Sequence, residues 1–328
     1  MSLALDRTGS ASMFDGLIEG TTRICRRTTR ATLIAANIVG LIALAGMTAT
    51  ETIDDDLTFQ PPAATEGGLA SIDMAAALIE REAANHAWVS NEPVFMPGAW
   101  LNNMQAYQEG MIYGLSRFTY EFADTLGRTR GSTSVDPDLD RAAGLLRFPG
   151  NVWIFDFEKT WTPTITSEEQ YLSAARALTA YNQRISSGNA VFDPRVDSLL
   201  AALTRIEADI SSKANVLVSH VERGAAGLPV ETNDNEIFYG TKGRLYAYAM
   251  VLEALGQDFE PIIEREGIRL VWDRMINSLK NAAAMHPFFI TDSPPGSMFL
   301  PSHVAEIGFF TLRAKTQLRD VMAVMSQG

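Results

Sequence analysis

Apolar positions fall into two regimes along this chain. From Ala31 to Ala49 no ionisable residue occurs, and Leu33, Ile34, Ile38, Val39, Leu41, Ile42 and Leu44 crowd together. At about 1.5 Å per helical residue the run covers about 28 Å, close to the ~30 Å hydrocarbon core of a bilayer. Arg23, Arg26, Arg27 and Arg30 precede it, while Glu51, Asp54, Asp55 and Asp56 follow. That bias orients a span with its N-terminus in the cytoplasm. Residues 31–49 are therefore predicted to be a single transmembrane helix, although Asn37 and many small residues make it only moderately hydrophobic. A cleaved secretory signal ending near Ala43-Leu44-Ala45 or Thr48-Ala49 is one alternative, and a buried core helix another. The arm before the run is long and the run exceeds a usual signal core, which favours a retained anchor. Ala36 and Gly40 lie four apart beside Asn37, a pattern through which two copies of such a helix can associate, although alanine and glycine are also simply common in membrane helices.

After the run the pattern changes. Residues 50–68 hold acids, Gln60-Pro61-Pro62 and Gly67-Gly68, a composition suited to a linker. From Leu69 a helical period dominates. Ser71 is placed to cap a helix burying Ile72, Ala75, Ala76, Ile79 and Ala83. Further helices are predicted over 98–126, after Asp136-Pro137, over 167–186 behind a Thr166/Glu169 capping box, and after Asp193-Pro194. In the last of these Leu199, Leu203, Ile206, Ile210, Ala214 and Leu217 recur at three- and four-residue steps, a stripe that needs a partner. The stripe of Val304, Ile307, Ala314, Leu318, Val321 and Met325 offers one. Between them the spacing predicts helices over 236–255, ended by Gly256, and over 261–284. Residues 151–157 read as a short strand or an extended link. The expected fold is all-α: one N-terminal transmembrane helix, then a helical-bundle-like body over 69–328 with little or no sheet.

Charge narrows the partners. Residues 1–30, a short basic arm, hold five Arg against Asp6, Asp15 and Glu19, or +2 of the −12 total, leaving −14 on the rest. So anionic a body repels phosphate backbones, which argues against nucleic acid. The basic arm suits the headgroups of inner-membrane lipid. Cys25 is the single cysteine, so no intramolecular disulfide forms and an exported body holds together by packing alone.

The most distinctive stretch runs from Trp88 to Gln108. Trp88, Asn91, Trp100, Asn102, Asn103, Gln105 and Tyr107 combine rings with amides, a mixture that lines sugar or peptide grooves and equally builds a proline-fixed corner. Glu92 within it is the acid to test if the chain is a hydrolase. Asp156, Glu158, Asp234 and Glu236 are other carboxylates of interest, but a catalytic pair is defined by separation in space. Glu82/His86 and His303/Glu306 stand at helical spacing for metal ligation, yet no HExxH or paired Glu-x-x-His motif occurs, so no metal or cofactor is expected. Asn233-Asp234-Asn235-Glu236 reads as a helix cap. Gly240-Thr241-Lys242-Gly243 lacks P-loop spacing, and its glycines instead suit the close approach of another helix.

The early span, the total length and the motif from Asn91 to Gln108 together resemble an uncharacterised bacterial membrane-protein family labelled domain of unknown function 2333. The resemblance implies a bacterial inner-membrane protein and brings no catalytic residues with it. The expected role is binding or scaffolding in the periplasm, towards envelope proteins or a cell-wall component. The alternative is an anchored hydrolase of envelope glycan or peptide.

Overall fold

The computed structural model describes residues 36–38, 40–41, 53–93, 96–100, 102–126, 135–155, 162–225, 234–287, 290 and 302–326. The chain divides into two units, Met1–Ala49 and Thr50–Gly328. In the first, residues 36–38, 40 and 41 are helical, with Ile38 and Leu41 exposed. The rest of the predicted span lies outside the described residues, and among those described no helix is long and apolar enough to cross a membrane.

The second unit is all-helical, with no strand among the described residues. Its helices are α1 (Ala70–Glu80), α2 (Asn102–Glu121), α3 (Pro137–Leu145), α4 (Ser167–Ser186), α5 (Val196–Ala225), α6 (Asp234–Asp258), α7 (Glu260–Arg265), α8 (Arg269–Ala283) and α9 (His303–Met325). Each of α1 and α2 ends in a π-turn, Arg81–Asn85 and Phe122–Leu126. Residues 151–155 form an extended link, tied back by Thr164 N–H to the Ile154 carbonyl and Ser167 N–H to that of Val152.

The α2–α6 pair makes the most extensive contact in the body. A methyl group on Gly110 would run into the carbonyl of Gly240, and one on Gly243 into that of Tyr107. The two backbones thus touch with no side chain between them, as the glycines around Lys242 suggested. Around this pair α6 also packs on α1 and α8, α1 on α4, α4 on α3, and α9 on both α5 and α8. The α5 and α9 stripes meet as expected, with Leu203, Ile210, Leu217, Ile307, Ala314 and Leu318 fully buried.

Local signals place most ends correctly. Asp136 caps α3, accepting from the N–H groups of Asp138 and Leu139, and Thr166 Oγ1 accepts from Glu169 N–H. Four expectations are corrected. Ser71 does not cap α1: it sits inside the first turn, and the Asp258 carboxylate accepts from Ala70 N–H, Ser71 N–H and the Ser71 hydroxyl at 2.5–3.0 Å. Asp193-Pro194 stands before α5, which begins at Val196. Gly256 does not end α6, because its bare Cα is where the Trp272 indole lies. The helix predicted over 261–284 is broken at Gly267, whose φ of +66° a side chain would oppose, into α7 and α8.

The segment read as a linker is part of the body over its described length. Ile53, Leu57 and Phe59 pack against the core. Gly68 lies against Asn182, whose side-chain amide bonds both the N–H and the carbonyl of Leu69. Proline and glycine here fix turns that lie down on the bundle.

Gly110→Ala or Gly243→Ala should cost about 3 kcal/mol by forcing backbones apart, whereas Gly144→Ala, on the open face of α3, should stabilise by up to ~1 kcal/mol; denaturant unfolding reads both. Burial raises the Asp258 carboxyl from 3.8 to about 6, against the hydrogen bonds from Ser71 and Ala70. The folded state therefore binds this proton more tightly than the unfolded one. Wild type should lose stability relative to Asp258→Asn as pH rises from about 4 to about 6, on the order of 2–3 kcal/mol.

Candidate functional site

The aromatic and amide stretch does not converge on one site. Trp88 is buried, donating from Nε1 to the Gly150 carbonyl at 2.8 Å and meeting the Tyr171 ring edge-on. Asn91 is buried and donates to Val152 O and the Glu168 carboxylate. Tyr107 faces the opposite side of α2 and donates to the Asp54 carbonyl. Asn102 is exposed and Asn103 half-exposed, and the Trp100 side chain lies outside the described residues. Gln105 lines a cavity. Glu92 accepts from the N–H groups of Gly98 and Ala99 at the Pro97–Trp100 turn; burial, with the nearby Glu168 charge, raises its pKa.

That cavity is an open groove of about 550 Å³ between one stripe of α2 and the turn that follows α3. The stripe carries Glu109, Tyr113, Ser116, Arg117 and Tyr120, spaced three and four apart so that they share a face. The far wall holds Arg147, Asn151 and Tyr171. Arg147 lies over the Tyr120 ring, 4.2 Å from its centroid, a cation–π contact made by a residue that remains exposed. Arg117 pairs with Glu121 at 3.2 Å. Behind the groove, Asp209 accepts from the hydroxyls of Tyr113 and buried Tyr248, and Arg244 stacks on Tyr113 at 3.7 Å. One turn along α5, burial and the neighbouring Arg244 charge pull the Lys213 ammonium down to about 8. None of Arg117, Tyr120, Arg147 or Lys213 was singled out from sequence. They come from three places, Arg117 and Tyr120 from α2, Arg147 from the turn after α3 and Lys213 from α5, and only the α2 stripe left a trace, as a polar face at helical spacing.

A second polar cluster is closed. Arg81 and Glu82 are buried side by side, with Arg81 Nε 3.0 Å from the Glu82 carboxylate. Arg81 also donates to the Tyr246 hydroxyl and the Asp54 carbonyl, and its plane lies between the Phe59 and Tyr246 rings. Tyr246 in turn donates to the Asp56 carbonyl. Lys242 is ion-paired with Asp55 and donates to Met285 O at 2.6 Å; burial lowers its pKa against the pull of Asp55. His86 stands 3.3 Å from Glu82, and this contact raises its pKa. The Glu82/His86 pair considered for metal is thus tied into an ion network, and among the described residues no group of three or more His, Cys, Asp and Glu is placed to hold a metal. Asp234 starts α6 as expected and bonds His220 at 2.7 Å, while Asp156 and Glu158 lie outside the described residues.

Because the cluster is sealed, Arg81→Ala should cost about 3–5 kcal/mol by leaving Glu82 buried without its cation, and pairing it with Glu82→Gln should recover part of that loss in chemical denaturation.

The groove and much of the closed cluster fall within residues 48–235, which match a family model described as an uncharacterised protein conserved in bacteria. No curated protein and no solved structure matches the chain. The matched segment takes in more than half of the sequence and runs from before Ile53 to the start of α6, and the chain accordingly belongs to the bacterial family designated DUF2333.

Proposed function

We propose that this protein is a single-pass inner-membrane protein, N-terminus in the cytoplasm, that presents its helical body in the periplasm and there binds or scaffolds a component of the envelope. The observation that carries the binding role is the groove, where the exposed Arg147 guanidinium is held on the Tyr120 ring. A side chain so placed is organised before any ligand arrives, which lowers the ordering cost of binding. The arginine-flanked apolar run supports the address. Ala36 and Gly40, both helical and exposed, keep the small-residue face through which a second copy would associate.

The hydrolase reading loses Glu92 to the turn it caps, and Glu109 becomes the carboxylate to test, since it lines the groove. Two experiments decide. A C-terminal alkaline phosphatase fusion should be active in whole cells; an inactive fusion removes the periplasmic address. A photo-reactive residue at Ser116 should crosslink an envelope component in living cells, and the absence of any such capture removes the binding role. Turnover of cell-wall material by the purified chain, abolished in Glu109→Gln, would replace binding with hydrolysis.

A further inference from the structure

Charge is sorted along the groove. Glu109 stands at one end, over Gly150 and beside the Tyr171 hydroxyl, with its own amide neighbour Gln105 at 3.3 Å. Glu168 lies near the same ring, since burial first and then the charges of Glu109 and Glu168 raise the Tyr171 phenol. The other end carries Arg147 on Tyr120 and, on the α2 stripe, Arg117. Arg117 Nε is buried and bonds no described group; Glu121, its carboxylate partner, is also paired with Arg205, which Asp124 holds as well at 2.7 Å. No carboxylate pairs with Arg147 among the described residues, so this end is cationic and the Glu109 end anionic.

The helix sets the separation. From Glu109 to Arg117 α2 rises about 12 Å, and to Tyr120 about 16 Å, at 1.5 Å per residue. An extended chain advances about 3.3 Å per residue, so about four residues span the two ends. Tyr113 and Ser116 lie between, offering a ring face and a hydroxyl to the intervening backbone.

Resting on the groove as the ligand site, we propose that it receives a short extended peptide of about four residues with both termini free, its C-terminal carboxylate on Arg147 and Arg117 and its ammonium on Glu109. Planar guanidinium groups match a carboxylate in two-point contact, and a fixed anion at the right distance selects the amine. Opposite charges at the two ends also set the direction in which the peptide lies.

The test uses the full chain in detergent and tetraalanine as the probe, with free termini, C-amidated and N-acetylated, followed by calorimetry and ligand-observed NMR. The free peptide should bind, and each cap should weaken it about tenfold. Arg147→Glu should weaken the free peptide to the same degree and make amidation neutral. Ser116→Trp, which fills the groove from its exposed edge, should abolish binding while the far-ultraviolet dichroism is unchanged. If capped and free peptides bind alike and all are lost in Ser116→Trp, the groove remains a ligand site and the charge assignment falls. If the free peptide does not bind wild type, or binds Ser116→Trp equally well, the peptide proposal is overturned, and crosslinking from Ser116 then judges the groove separately.

Discussion

The body is organised by two helix backbones in direct contact. Gly110 and Gly114 on α2 face Gly240, Gly243 and Ala247 on α6, so the two axes approach as closely as main chains allow. Everything else is placed by that approach. Tyr107 and Tyr246 come together on one side, 6.1 Å between ring centroids, and Tyr113 and Arg244 on the other. With larger residues at these positions both polar clusters would be pulled apart, although none of the four glycines carries a functional group. Close packing here is specified by absence of side chain rather than by hydrophobicity.

The fold was readable where the determining contacts are local. Caps at Asp136 and Thr166, and the apolar stripes of α5 and α9, need only neighbours within a few residues and one buried face. Reading failed where a residue answers to something distant. Gly256 looks like a helix stop, yet it is bare because Trp272 comes from α8. Ser71 looks like a cap, yet the acceptor for that turn is Asp258 at the far end of α6. The acidic, proline-containing segment has the composition of a spacer, but Arg81, Tyr107 and Tyr246 supply partners that composition does not reveal.

The candidate site was legible only in part for the same reason. The stretch from Trp88 to Gln108 drew attention through its rings and amides, but Trp88 and Asn91 are consumed in building the corner and Tyr107 in holding the Asp54 carbonyl. Gln105 reaches the groove because it begins the outward stripe of α2. Arg147 and Tyr120, which give the groove its character, lie on either side of α3 and meet only in the folded chain. A guanidinium on a ring is a tertiary event, and neither residue stands out in its own segment.

The segment from Ile53 to Phe59 has one further implication. Arg81, Tyr107 and Tyr246 all grip it through main-chain oxygens, those of Asp54 and Asp56. Main-chain oxygens are the same whatever residue bears them. Those three grips would survive a change of side chain, but the acids are held a second time, the Asp54 carboxylate by Arg81 at 3.4 Å and that of Asp56 by the N–H and hydroxyl of Thr58. A single-residue insertion between Asp54 and Asp56 would shift the two gripped oxygens relative to each other, so the spacing of this stretch is constrained together with its charge.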